Sequence, residues 1–354
     1  MNPIVIRFGR LGDMLLLAPL LHRLHLAYGE PCVLFGTGPW SEPLYAHHPD
    51  VARVLQVNAR HRPFALSPPR WRMLHALRVL RDAPVHVCEV EPRPLARIRR
   101  LLAMAHVDPS RCVFVADAPP LPDEHWIDRL LRTGARPPAA FTGAWRASAV
   151  SGTCAAPRLC LSDADRRDRD GWLRAFGWTG QPLWLVQPAN KRSMRWNGPR
   201  DPADDDKAWP SASWAEVLRA LHHRDPDARL LLCGSPREAP LLEGIARIAG
   251  LERVAVAARD LPLRRLMALC EIARGMLSVD TGPAHVAAAM GCPLVVLFGA
   301  QSPRVWRPRS PSGSAVIVLG GPPQRTRIMQ ITPEEVIAAA QALPARAPSL
   351  DEAR

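Results

Sequence analysis

Short apolar runs alternate with longer helical stretches along most of the chain. Ile4-Val5-Ile6, Cys32 to Phe35, Val51 to Val57, Val85 to Val90 and Cys112 to Ala116 read as buried strands. Stretches from about Met14 to Tyr28, near 70 to 82 and over 93 to 104 read as the helices between them. A second series starts at Leu183-Trp184-Leu185-Val186. It continues through helix 211 to 224, strand Ala228 to Cys233, helix 237 to 249, strand Arg253 to Val256, helix 262 to 273, strand 275 to 279, helix 283 to 290 and strand Leu294 to Phe298. Strand and helix in strict alternation predict an α/β chain built from two doubly wound parallel sheets, a pair of similar lobes facing a cleft. Residues 137 to 160 are rich in Pro, Gly, Ser and Thr and place the boundary between there and Gly180. We take 1–175 as the first domain and 176–330 as the second. Residues 331–354 form a closing helix and tail expected to pack back toward the first; Thr332 is its N-cap and Pro333 its first helical residue.

One junction concentrates polar groups where a buried strand becomes a helix. The run Gly275 to Val279 leads into Asp280-Thr281-Gly282-Pro283-Ala284-His285, and an alanine-rich helix ends at Gly291. Asp280 and Thr281 are good capping types, and Pro283 suits a first turn. Free backbone N–H groups there would point into the crevice at the strand's carboxyl end, where open α/β sheets hold anions. A plain capped turn with His285 as a satisfied core histidine accounts for the same residues.

Composition changes this picture only modestly. The 354 residues are 47% hydrophobic, enough core for two domains. No run reaches the roughly 18 apolar residues of a membrane span, and the start Met1-Asn2-Pro3-Ile4-Val5 has no basic leader, which points to the cytoplasm. Eight cysteines contain no C-x-x-C pair, so neither a disulfide framework nor a zinc site is indicated. The net charge of +13 favours an anionic partner. Only Lys191 and Lys207 are lysines, against 44 arginines, which hints that one of them sits where a compact point charge is needed.

Other candidate groups follow the same carboxyl-end logic. Gly9-Arg10-Leu11-Gly12-Asp13 joins the first strand to the first helix but lacks G-x-G-x-x-G spacing, which excludes a nicotinamide cofactor. Asp13 is either a first-turn acid stabilised by the helix dipole or a carboxylate able to accept a proton from a substrate hydroxyl. Asp204-Asp205-Asp206-Lys207-Ala208-Trp209-Pro210 is either a solvated charged loop or one that offers Lys207 to a diphosphate, pinned by Trp209 and Pro210. Gly234-Ser235-Pro236-Arg237-Glu238 is either a tight turn with a helix-starting acid or a ribose contact through Glu238.

Together, Gly12-Asp13, Asp205-Asp206-Lys207-x-Trp209-Pro210, Gly234-Ser235-Pro236, Asp280-Thr281-Gly282-Pro283-x-His285, Leu297-Phe298-Gly299 and the ending Ile331-Thr332-Pro333-Glu334-Glu335-Val336 resemble glycosyltransferase family 9, the lipopolysaccharide heptosyltransferases. The resemblance implies a GT-B fold and inverting transfer from a nucleotide sugar, typically ADP-heptose, with no metal and no cofactor. Asp13, beside Gly12, matches the family's general base, and Lys207 its phosphate-contacting lysine. Thr281 and Gly282 would cradle the diphosphate, Asp280 would contact the donor sugar, His285 would orient or touch phosphate, and Glu238 would meet the ribose. An anionic glycan or glycolipid such as lipid A core is the implied acceptor, with peripheral contact at the inner membrane surface and no specific nucleic acid. Arg60, Arg62, Arg93, Arg97, Arg99 and Arg100 are candidate partners for its phosphates, or simply solvate helix faces. The loop from Asn190 to Asp206 is longer than the family pattern, which leaves the sugar open. A sugar-nucleotide epimerase of similar fold and a non-catalytic binder of nucleic acid or anionic membrane are the competing readings.

Overall fold

The computed structural model describes residues 1–57, 67–146, 155–195 and 198–347. It divides into two compact units, Met1–Cys160 and Leu161–Arg354. Each is built around its own parallel sheet.

The first unit contains β1 (Ile4–Ile6), α1 (Leu11–Leu15), α2 (Ala18–Tyr28), β2 (Cys32–Gly36), α3 (Ser41–Tyr45), β3 (Val51–Gln56), α4 (Pro68–Val79), β4 (Val85–Val87), α5 (Pro92–Met104), β5 (Cys112–Phe114) and α6 (Trp126–Arg129). The strands lie in the order β3-β2-β1-β4-β5, all parallel. Ile4, Ile6, Phe35, Val85 and Val87 pack with Leu74, Leu77, Ile98 and Leu101 of α4 and α5 into one core cluster. The helix expected from Met14 is broken in two. Pro19 has no N–H to give Leu15, so the chain kinks at Leu16-Leu17 before α2 starts. His86, in the middle of β4, is fully buried and bonded to the Gly134 carbonyl (2.7 Å) and the Tyr28 hydroxyl (3.3 Å). Burial pushes its pKa down to about 4.

The second unit contains α7 (Asp163–Ala175), β6 (Leu183–Gln187), β7 (Met194–Arg195), β8 (Gly198–Pro199), α8 (Ser211–Arg224), β9 (Arg229–Leu232), α9 (Ala239–Ala249), β10 (Val254–Val256), α10 (Leu263–Ile272), β11 (Gly275–Val279), α11 (Gly282–Ala289), β12 (Leu294–Phe298), α12 (Pro303–Trp306), β13 (Val316–Gly320) and α13 (Pro333–Ala342). Its six-stranded sheet runs β10-β9-β6-β11-β12-β13, the dinucleotide-fold order in which strands are added outward on both sides of the first. Strands β6, β11 and β12 are buried along their whole length, as strands covered on both faces must be.

Helix α7, which the sequence reading gave to the first domain, belongs to the second unit. Arg166 and Arg169 each reach Glu271 of α10 (2.8 Å), and Arg264 of α10 holds Asp165 through Nε at 3.0 Å. The edge strand β13 adds to β12 in register from Leu294↔Val316 to Phe298↔Gly320 and was not anticipated. Helix α13 is capped by Thr332 and Glu335 as expected, and Val336, Ala339 and Ala340 enter the core of the second unit. Seven described cysteines are free thiols; Cys154 lies outside the described residues. No helix among the described residues is long and apolar enough to cross a membrane.

Candidate functional site

In the second sheet β6 and β11 are neighbours, paired from Gly275↔Trp184 to Ser278↔Gln187, with β9 outside one and β12 outside the other. The strand order reverses between them, so the loops leaving their carboxyl ends diverge and leave a crevice. The sequence-predicted residues of this unit follow these strands or their neighbours, and two are brought together directly. Lys207 Nζ donates to the Asp280 carboxylate and, at 3.2 Å, to the Asp280 carbonyl. Asp280 is 8% exposed, so the ammonium compensates a charge that burial would otherwise make costly.

Thr281 is the N-cap of α11, yet its hydroxyl makes no capping bond. It donates back to the Val279 carbonyl (3.1 Å) and lies 3.3 Å from the Ser278 hydroxyl. The first turn of α11, with Gly282 as its first residue, therefore opens without a side-chain cap, the condition in which a helix N-terminus favours an anion. His285 is buried one turn into the helix.

The loop that carries Lys207 is fixed from below. Asp205, 2% exposed, accepts from Asn190 Nδ2 (2.8 Å) and the Lys207 N–H (3.2 Å) and forms an ion pair with Arg192 Nη2 (2.7 Å). Asp206 also pairs with Arg192 and accepts from the Ala300 N–H at 3.1 Å. Burial works to raise the Asp206 carboxyl, but those donors outweigh it and hold it below the usual carboxylate range. Gly299 permits this approach, because a Cβ there would stand 2.3 Å from the Asp206 carbonyl oxygen. Trp209 anchors the far end, donating from Nε1 to the Ile331 carbonyl (2.9 Å) and meeting Trp214 edge to face at 4.9 Å.

Glu238 lies after β9 and has a local task. Its Oε2 accepts from the Ser235 N–H (2.7 Å) and hydroxyl (2.9 Å), closing a capping box over the short turn that precedes α9.

In the first sheet the order reverses between β1 and β4, paired Ile4↔Val85 to Ile6↔Val87. Asp13, in the first turn of α1, accepts from Arg7 Nη2 (3.1 Å) and from the Arg10 N–H (2.9 Å), and its side chain is 24% exposed. Gly12 is the preceding residue, and its carbonyl accepts from the Leu16 N–H (3.0 Å). The close approach in this turn is at Gly9, where a Cβ would lie 2.4 Å from that of Asp13.

Sequence reasoning missed Arg7, Glu89, Asn190 and Arg192. A signal existed for the first two: each is a charged residue just beyond the carboxyl end of a central strand. Of the arginines named for acceptor phosphates, Arg93, Arg97 and Arg100 are exposed on α5. Arg99 is engaged by Asp117 (2.7 Å) and lies over the Phe114 ring, and Arg60 and Arg62 fall outside the described residues.

Residues 200–333 match the model of glycosyltransferase family 9 (heptosyltransferase). A stretch of 131 residues is 34% identical to lipopolysaccharide heptosyltransferase 3 of Escherichia coli, over 37% of this chain and 35% of that protein, so the match spans about a third of the relative's length. Among solved structures, a glycosyl transferase family 9 protein from Veillonella parvula superposes with a TM-score of 0.72 at 15% identity, covering 96% of each chain. The E. coli ADP-heptose lps heptosyltransferase II does so with a TM-score of 0.71 at 18% identity, covering 97% of this chain and 98% of its own. At that identity the likeness establishes the fold, α/β of the GT-B class.

Proposed function

From the match of residues 200–333 to the glycosyltransferase family 9 model, we propose that the chain transfers heptose from ADP-heptose to a lipopolysaccharide core acceptor, with inversion and without a metal. The observation that carries the reading is the Lys207–Asp280 pair beside the uncapped first turn of α11, at the reversal point of the second sheet. The domain match covers these residues, and a structural neighbour of the whole chain is named for ADP-heptose.

In this mechanism an acceptor hydroxyl attacks the anomeric carbon, its proton passes to Asp13, and the bond from that carbon to the diphosphate oxygen breaks. The electron pair leaves with ADP. Lys207 and the α11 N-terminus take up the negative charge that develops on the leaving diphosphate, a contribution of about 3–4 kcal/mol per well-placed donor. At rest Lys207 is paired with Asp280. The diphosphate would compete for the ammonium, and the released Asp280 carboxylate would accept from hydroxyls of the donor sugar. His285 would orient the turn. Glu238 would meet the ribose while its Oε2 holds Ser235.

The acceptor is an anionic glycolipid on this reading, with the protein at the inner membrane surface. The outer faces of α4 and α5 suit that setting: Arg72, Arg78, Arg93, Arg97 and Arg100 are exposed there, with Trp71 among them 48% exposed. The test is a turnover panel of ADP-, GDP- and UDP-sugars against core oligosaccharides. Release of ADP coupled to acceptor elongation with ADP-heptose is expected. Conversion of a donor to an epimer without any acceptor would instead identify an epimerase, and inactivity with every donor would contradict transfer altogether.

A further inference from the structure

The first unit holds a buried acid that the proposed chemistry leaves unused. Glu89, just beyond β4, is 1% exposed and collects four donors: the N–H groups of Phe8 (3.3 Å), Val90 (2.9 Å) and Glu91 (3.0 Å), and Arg7 Nη1 (3.0 Å). Arg7 in turn is 6% exposed. Its Nη1 is shared with the Cys88 carbonyl (3.0 Å), the Trp126 ring centroid lies 5.2 Å from its guanidinium carbon, and Nη2 reaches Asp13 Oδ1 (3.1 Å).

We propose that Arg7 is a positioning residue for Asp13, locked from behind by Glu89, and that it sets the direction of that carboxylate. The proposal rests on the reading of Asp13 as the base that accepts the acceptor's proton.

The geometry separates this role from simple turn closure. The Arg10 N–H to Oδ2 bond already closes the first turn of α1. The Arg7 contact adds a second restraint from the end of β1, itself tied to the end of β4 through Glu89, and uses a buried guanidinium whose desolvation is costly unless it is paired on both sides. A guanidinium can bridge two carboxylates because its donors are fixed in a planar fork. Oδ1 then accepts from Arg7 and Oδ2 from the Arg10 N–H, and each keeps acceptor capacity on the side-chain surface that remains exposed.

Arg7 is in contact with Asp13 and Glu89 stands behind it. Arg129 of α6 lies over the same Trp126 ring (5.5 Å), and the Arg10 side chain is exposed. Removing Arg7 therefore removes the ion pair on Asp13.

The experiment is the split of kcat against KM for Arg7→Lys, Arg7→Met and Arg7→Met/Glu89→Gln, with Asp13→Ala as reference and melting temperature and ADP affinity measured alongside. Loosened orientation should lower turnover by on the order of 10²-fold. Donor KM and ADP affinity should stay at the wild-type value. Arg7→Lys keeps the charge but not the fork, so its turnover should fall less than that of Arg7→Met. The double variant removes Glu89's charge together with its partner and serves if Arg7→Met alone does not fold, and Arg7→Lys carries the test if neither does. Folded Arg7 variants with wild-type turnover overturn the positioning role while leaving the base assignment intact. An Asp13→Ala protein with full turnover removes the base assignment, and this proposal with it.

Discussion

The two sheets reverse their strand order in the same way, and the chain fills the two reversal points with opposite charge logic. At β1/β4 an acid, Asp13, is outermost and partly exposed, with an arginine behind it and a second acid, Glu89, sealed behind that. At β6/β11 a lysine and an acid cover one another, Lys207 19% and Asp280 8% exposed in their side chains, beside a helix N-terminus with no side-chain cap. One arrangement presents a carboxylate with spare acceptor capacity. The other stores a cation that an incoming anion can take over. On the proposed reading a single fold thus yields a proton acceptor in one unit and an anion holder in the other, because the backbone supplies only the crevice and the residues in the loops past each strand decide its charge.

The largest expected effect tests that division of labour. Asp13→Ala should lower kcat by about 10²–10⁴-fold, the range for loss of a positioned general base, with little change in ADP affinity. Steady-state kinetics read against ADP titration decide it, and lost affinity at unchanged kcat would dissolve the distinction between the two sites.

A second difference concerns acid. His86 is buried without charge in β4 of the first unit, with a folded pKa of about 4 against 6.5 for an unperturbed imidazole. The unfolded chain takes up a proton below about 6.5 and the folded one does not, so this group's contribution to stability is present above that pH and is lost on the way down to about 4. The loss amounts to about 3 kcal/mol. His22 works the other way: its Asp50 hydrogen bond raises it, so its contribution is full below 6.5 and fades as the pH rises through its folded value. Asp50 is held low by His22 and His25 against its burial, and its contribution is lost only as the pH falls through its depressed folded value. Urea unfolding of wild type and His86→Gln at pH 7.5 and 4.5 isolates the His86 part. The variant should show the shallower decline, and parallel declines would refute it.

The smallest effect belongs to the second unit. Gly299→Ala would place a Cβ against the Asp206 carbonyl and should destabilise the protein by about 1–3 kcal/mol. The displaced loop should also weaken ADP binding through Lys207. Thermal unfolding with and without ADP measures both, and a variant with wild-type values would show that the close approach is slack.

Strand and helix content was legible where hydrophobic pattern alone decides it. Helix 211–224 and strands 275–279 and 294–298 coincide with the sequence reading because each is a bounded apolar or amphipathic run. Helix α7 escaped because only Trp172 and Leu173 among its apolar side chains are buried; arginine–carboxylate pairs hold much of the rest, and these have no hydrophobic period. Of the candidate site, Asp13, Lys207 and the Asp280–His285 turn could be named from motif order. Arg7 and Glu89 could not be joined in sequence, since they stand 82 residues apart and meet only because β1 and β4 pair. Glu238 read as a ribose contact from its place after a strand, while the turn beside it already employs one of its oxygens.

The central claim is that the second unit's reversal point holds the leaving diphosphate and the first supplies the base. Calorimetric titration of ADP into wild type, Lys207→Met and Asp13→Asn tests it most directly. The account predicts ADP affinity at the wild-type level in Asp13→Asn and a loss of about 10²-fold or more in Lys207→Met, with its cation gone and Asp280 left beside the anion site. Equal affinity in Lys207→Met and wild type, or a loss confined to Asp13→Asn, would contradict it.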